Sequence, residues 1–237
     1  MRSSSARPRT GRRPIRAAAA RRISTWISRA ASAMSGVPTD IPCPALCDWA
    51  WRPEPWRQDI ADLPEGPLAS GRVLSDGVRI FHDGGGHGGD GSEAKADIAI
   101  RQEDGGVDGA AKALALQVGA FDGQFLSFTF NLPRDGIAGL SPRVILAARL
   151  ALAPRPTLPI FLRLNIRKGP NTEAVPGLPV PGGEDGSVLA AEFDLGFRNI
   201  QAGRVANAWL DVIFDHPAGL SVILSDLTLS RRPRAGF

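Results

Sequence analysis

The chain has 237 residues, enough for one domain with a proper core or at most two small ones, and its 43% hydrophobic content excludes a wholly disordered or fibrous protein. The net charge of +4 is unevenly placed: residues 1–36 hold nine of the 28 basic residues and no acid, so the remaining 19 face 24 acidic residues, a net of −5. The basic character belongs to this arm, which excludes specific nucleic-acid binding as an expectation for the body.

Within the arm, Ala19, Ile23, Trp26, Ile27, Ala30 and Met34 share one face at helical spacing, with Arg21, Arg22 and Arg29 off that face. A short basic amphipathic helix of this kind suits an anionic membrane surface or a partner protein, and the competing expectation is a disordered Arg- and Ser-rich extension. "ARRISTW" has the paired arginines of an export signal, but Arg29 and several serines interrupt the residues after it, so no apolar h-region forms. No stretch reaches the ~20 apolar residues of a membrane-spanning helix. A cytoplasmic location is expected, peripheral to the inner membrane where the arm meets lipid.

From residue 37 to about 70 the chain is rich in Pro and Trp. In "DWAWRPEPWR" the prolines between Trp49, Trp51 and Trp56 exclude a regular helix. The segment is expected to lie extended over the body with its indoles on a sheet edge or core end; an aromatic platform for a ligand is the alternative. Cys43 and Cys47, in "CPALC", are the only cysteines. No second Cys or His pair stands at zinc-site spacing, so two ordinary thiols are expected, with a local disulfide as the alternative.

Beyond Gly71, period-two alternation recurs about nine times between Gly, Pro, Asn and Asp turns. The runs centre on Val78–His82, Ile98–Ile100, Leu114–Val118, "FLSFTFNLP", "RVILAARLALA", "LPIFLRLNIR", "AAEFDLGF", "AWLDVIFD" and "LSVILSDLTL". Leu126, Phe128, Phe130, Leu146, Leu150, Leu162, Leu164, Phe193, Leu195, Phe197, Leu210, Val212 and Phe214 are assigned to the core side. Long helical windows are absent after residue 36, so the pattern predicts an all-β fold: an antiparallel, jelly-roll-like β-sandwich of about nine strands. It forms a single domain over residues 37–237, with 37–70 packed on the body and the arm, 1–36, dispensable for folding.

"FHDGGGHGGDGSE" joins the first two runs. A phosphate cradle needs a helix after the glycines, and a strand comes next instead. His82, Asp83, His87, Asp90 and Glu93 are mixed metal ligands in kind, but so much glycine leaves their geometry unfixed. A flexible loop is expected, with no metal and no cofactor.

The candidate site lies on the faces turned away from the core. Three runs carry Phe161, Arg163, Asn165 and Arg167; Glu192 and Asp194; Asn207, Trp209 and Asp211. On one sheet, Arg163, Asn165, Asp194, Asn207, Trp209 and Asp211 would form an aromatic and polar patch. A ring stacks on the apolar face of a sugar while Asn, Asp and Arg satisfy its hydroxyls. An ordinary solvated face is the alternative reading. The absence of Tyr and an aromatic content of 6% count against a sugar-binding module. The chain lacks G-x-S-x-G, H-E-x-x-H, a P-loop and a G-x-G-x-x-G after a strand, and His216 falls in a turn, so no catalytic residue is assigned.

In order along the chain, "DWAWRPEPWR", "IFHDG", "LSFTFNLP", "IFLRLNIRKGPNTE", "EFDLGF", "AWLDVIFDHP" and "LSDLTLSRRPRAGF" resemble an alphaproteobacterial family known only as a domain of unknown function. The resemblance runs from about Asp48 to the C-terminus. The glycine-rich stretch and the Arg-rich arm stand apart from it, and it implies no activity. The residues leave two functional expectations. The first is a non-catalytic interaction or structural protein with a protein partner; the second is a carbohydrate-binding module with a glycan on the polar face.

Overall fold

The computed structural model describes residues 40–63, 66–85, 95–183, 186–198, 200 and 203–235, so the arm's two readings and His87, Asp90 and Glu93 of the glycine-rich stretch lie outside it. Alternating side chains settle onto opposite faces of thirteen strands among these residues. They are β1 (Trp49–Trp51), β2 (Val73–Ser75), β3 (Val78–His82), β4 (Ala96–Asp104), β5 (Lys112–Phe121), β6 (Phe125–Asn131) and β7 (Val144–Ala153). β8 (Ile160–Lys168), β9 (Asn171–Gly177), β10 (Val180–Gly182), β11 (Val188–Asp194), β12 (Val205–Asp215) and β13 (Ser221–Pro233) complete the set. A 3-10 turn (Glu54–Trp56) and one short helix, α1 (Arg134–Ala138), join them.

The nine predicted runs are β3–β8 and β11–β13. The other four, β1, β2, β9 and β10, are short or lack alternation, so the described residues hold four strands besides the nine runs that alternation marks. "RVILAARLALA" is β7, as its β-branched start and flanking prolines suggest.

The strands form two antiparallel sheets. The first has the order β10-β11-β7-β13-β5-β4 with β1 added on β13, and the second runs β2-β3-β6-β12-β8-β9. Successive strands pass repeatedly from one sheet to the other, which produces the sandwich. Its core takes one face of every long strand: Leu114 and Leu116 from β5, Phe128 and Phe130 from β6, Leu146 and Leu150 from β7, Leu162 and Leu164 from β8, Phe193 from β11, and Leu210 and Phe214 from β12 are all buried. Phe197 is the exception to the predicted core set. β11 ends at Asp194, the alternation stops one residue later at Leu195, and Phe197 is exposed under the Arg234 guanidinium, 5.0 Å from its ring centroid.

The lead-in completes the first sheet. β5 pairs with β13 only over Ser221–Leu224, and β1 takes the same strand at Leu229–Arg231. Between them β13 bulges at Leu224/Asp226, and the Trp56 indole fills the gap, fully buried, with Nε1 donating to the Leu224 carbonyl at 2.9 Å. Beside it Arg52 is buried and donates from Nε to Asp226 Oδ1 at 2.8 Å, from Nη2 to the Asp108 carbonyl at 2.8 Å and from Nη1 to Asp40 Oδ2 at 3.3 Å. Burial pushes the Asp226 carboxyl above its ordinary range, against the pull of Arg52 and Arg149.

Cys43 and Cys47 form a disulfide, which corrects the expectation of two free thiols. A turn closed by the Cys47 N–H on the Pro44 carbonyl, with Leu46 in the left-handed region at φ 65°, brings their Cα atoms to 6.0 Å.

Candidate functional site

The outer face of the second sheet is built by register alone. Reading across it, Arg79, Thr129, Asp211, Arg163 and Pro176 form one row. Phe81, Ser127, Ile213 and Phe161 form the row on one side of it, and Asn131, Trp209, Asn165 and Ala174 the row on the other. Asn207, Arg167 and Thr172 lie one row further. Directly opposed residues on antiparallel strands share a face, so these side chains all point away from the core.

Five of the six site residues read from sequence therefore come together: Arg163 and Asn165 on β8, and Asn207, Trp209 and Asp211 on the neighbouring β12. Asp194 does not join them. β11 pairs with β7, not with β8 or β12, which puts Asp194 in the first sheet. There it accepts the Gly196 N–H at 2.8 Å and the Arg234 guanidinium at 3.1 Å. The Gly196 amide first, and then Arg234, holds its carboxyl below the usual range. Alternation along a strand carries no information about which sheet the strand enters.

Asp211 is the hub of the face. It is only 4% exposed. Its Oδ1 accepts the Thr129 hydroxyl at 2.9 Å. Its Oδ2 accepts Arg163 Nη2 at 2.8 Å, Arg163 Nε at 3.1 Å and Asn165 Nδ2 at 2.8 Å. Asn165 is buried too, so Asp211 and Asn165 position their neighbours and do not themselves present a free surface. The Arg163 side chain stays 48% exposed, held through Nε and Nη2. Trp209 is half-buried and stands outside the core cluster.

Beside this hub runs an apolar strip. Phe81 is 38% exposed, Phe161 49% and, two residues from Ser127 on the same side of β6, Phe125 37%. The alternation of "VRIFH" and "FLSFTFN" puts Phe81, Phe125 and Thr129 on the outer side, but no sequence signal sets β6 beside β12 and β3 beside β6. At the far side of Asn131 a cleft of about 370 Å³ opens between Trp51, Arg57, Gln58 and Asn131. Gly77 of the Asp76–Gly77 hairpin turn, at φ 71°, shapes its mouth; a Cβ there would stand 3.3 Å from that of Asn131.

His82 and Asp83 are committed to structure. The His82 ring nitrogens lie 2.9 Å from the Leu68 carbonyl and 3.1 Å from that of Gly84, and Asp83 Oδ1 accepts the Gln124 and Phe125 amides. Among the described residues no three His, Cys, Asp or Glu side chains are grouped as metal ligands, and no helix is long and apolar enough to cross a membrane.

The fold is similar, at TM-scores below 0.5, to several solved structures. One is the CBM22-1–GH10 part of Clostridium thermocellum xylanase 10B complexed with xylohexaose, at TM-score 0.39 and 13% identity over 68% of this chain. The chain spans only 27% of that protein. A second is a family 11 carbohydrate-binding module from Clostridium thermocellum in complex with a β-1,3-1,4-mixed-linked tetrasaccharide, at TM-score 0.37, 7% identity, 69% of this chain and 94% of that one. A third is a Stig cyclase from Fischerella sp. TAU, at TM-score 0.39, 9% identity, 67% of this chain and 86% of that one. No curated protein matches the chain. A family profile described as "Family of unknown function (DUF6478)" matches residues 2–237. The match takes in the Arg-rich arm, which the sequence resemblance leaves apart.

Proposed function

We propose that this chain, which belongs to the family of unknown function DUF6478, is a non-catalytic binding protein whose outer six-stranded face takes a glycan. The observation that carries this reading is the Asp211 hub. A buried carboxylate with four hydrogen bonds from Thr129, Arg163 and Asn165 fixes the half-exposed Arg163 guanidinium on the same face as a half-exposed indole. A pre-set guanidinium near an aromatic ring suits a polyhydroxylated ligand, because little rotamer freedom is left to lose on binding. With both oxygens engaged, Asp211 is a scaffold group and not an acid or base, which supports a role without catalysis.

A second reading has its own observation. Phe81, Ile213 and Phe161 lie in one row with two exposed phenyl rings, and an apolar strip of this kind also suits a protein partner, as in an interaction or structural role. A glycan array with intrinsic tryptophan fluorescence separates the two. Glycan binding lost in Trp209→Ala, with the fold intact, supports the first. An array without hits, together with a pull-down from native lysate that Phe161→Ser abolishes, supports the second.

The nine arginines of the arm support a cytoplasmic protein seated on an anionic inner-membrane surface. The Cys43–Cys47 bridge argues the other way, since disulfides persist in oxidising compartments. Trapping of free thiols in freshly lysed cells decides between them.

A further inference from the structure

Charge on the outer face narrows the ligand. Resting on the glycan reading above, we infer that the ligand is an anionic glycan, a polymer carrying carboxylate or sulfate groups, gripped by Arg79 and Arg167 at the two ends of the face. The body outside the arm has a net charge of −5, yet this face bears three arginines, Arg79, Arg163 and Arg167, against Asp211 at its centre and Asp215 at its margin. Asp211 is spent on Arg163, and Asp215 lies 3.1 Å from His216 Nδ1.

Arg79 and Arg167 are both exposed, and neither guanidinium makes a hydrogen bond or ion pair with any described residue. The arginines around the end of β13 in the first sheet are paired instead: Arg231 is held by Asp48, Arg232 by Glu192 and Arg234 by Asp194. Two free guanidiniums on a sheet face that also holds a fixed third one make an anion-recognising surface, because a guanidinium fork matches a carboxylate or sulfate through paired N–H donors. Arg79 and Arg163 share a row three strand spacings apart, about 14 Å, and Arg167 lies four residues along β8 from Arg163, about 13 Å. One sugar cannot reach across; an extended polymer can, with Trp209 between the grips.

The test measures binding of the full chain to polygalacturonate, to a neutral mixed-linkage β-glucan and to polyphosphate, by affinity electrophoresis and calorimetry at low and raised salt. Polygalacturonate is expected to bind best, with Kd rising at least about ten-fold in Arg79→Gln/Arg167→Gln and also in Trp209→Ala. Equal binding of the neutral glucan, unchanged by the arginine pair, overturns the acidic preference while leaving glycan binding in place. Equal binding of polygalacturonate and polyphosphate, insensitive to all three substitutions, assigns the anion seat to the Arg-rich arm and overturns the inference. No binding of either glycan removes the glycan reading itself.

Discussion

Each sheet carries an arginine–aspartate pair whose aspartate lies on a central strand, and the two sheets use it in opposite ways. On the first sheet Arg52 and Asp226 are 2% and 0% exposed, sealed beneath the lead-in segment that supplies the arginine. On the second, Asp211 is buried as well but Arg163 leaves nearly half its side chain in solvent. The covered pair fastens one part of the chain to another, and the open pair presents a charged group to whatever meets the face. Chemical identity does not separate the two; what lies above the pair does.

The largest expected effect breaks the covered pair. Arg52→Ala leaves the buried Asp226 with only Arg149, 3.8 Å away, as a cationic partner and frees the Asp108 and Asp40 partners, at a cost of about 3–5 kcal/mol in urea denaturation, a large part of a domain's total stability. Asp211→Ala leaves the Thr129 hydroxyl and the Asn165 amide without their acceptor and is expected to cost about 1–3 kcal/mol. Arg163→Ala and Trp209→Ala remove half-exposed groups, and each is expected to cost about 1 kcal/mol while abolishing the fluorescence response to glycan. If Arg163→Ala destabilises as much as Arg52→Ala, the contrast between the faces is lost.

The smallest expected effect is a pH dependence at Asp194. Its folded carboxyl titrates below its unfolded value, so its contribution is fully present above the ordinary aspartate range near 3.8 and disappears as pH falls through the depressed folded value. Unfolding curves of the wild type and Asp194→Asn should therefore differ at neutral pH and converge in acid. Asp226 has the opposite sign: its folded carboxyl titrates above its unfolded value, so whatever it adds is present in acid and lost as pH rises through the folded value.

Strand faces were legible in the sequence, and strand neighbours were not. Leu162, Leu164, Leu210 and Val212 could be assigned inward because a single-residue slip would expose them all, and that assignment sends Arg163, Asn165, Trp209 and Asp211 outward together. Asp194 failed on the same logic, since its inward partner Phe193 packs equally well from either sheet. β9 was invisible because "NTEAVPG" offers the core one large apolar residue, Val175, and gains its place from pairing with β8. The Arg52–Asp226 bond joins positions 174 residues apart, and no local pattern foretells such a partner.

The position of β13 has a consequence for how the protein comes into being. The last of the described strands to be made is a central one: β13 lies between β7 on one side and β5 with β1 on the other. During synthesis, the two halves of the first sheet must wait as separate hairpin-like pieces with apolar faces uncovered until β13 leaves the ribosome. The tryptophan-rich segment, among the earliest of the described residues to be synthesised, waits longest, because the bulge that receives Trp56 belongs to β13. A chain that stops before β13 would lack the joint that Asp226 and Leu224 make with Arg52 and Trp56, and would be exposed to aggregation and to quality-control proteases.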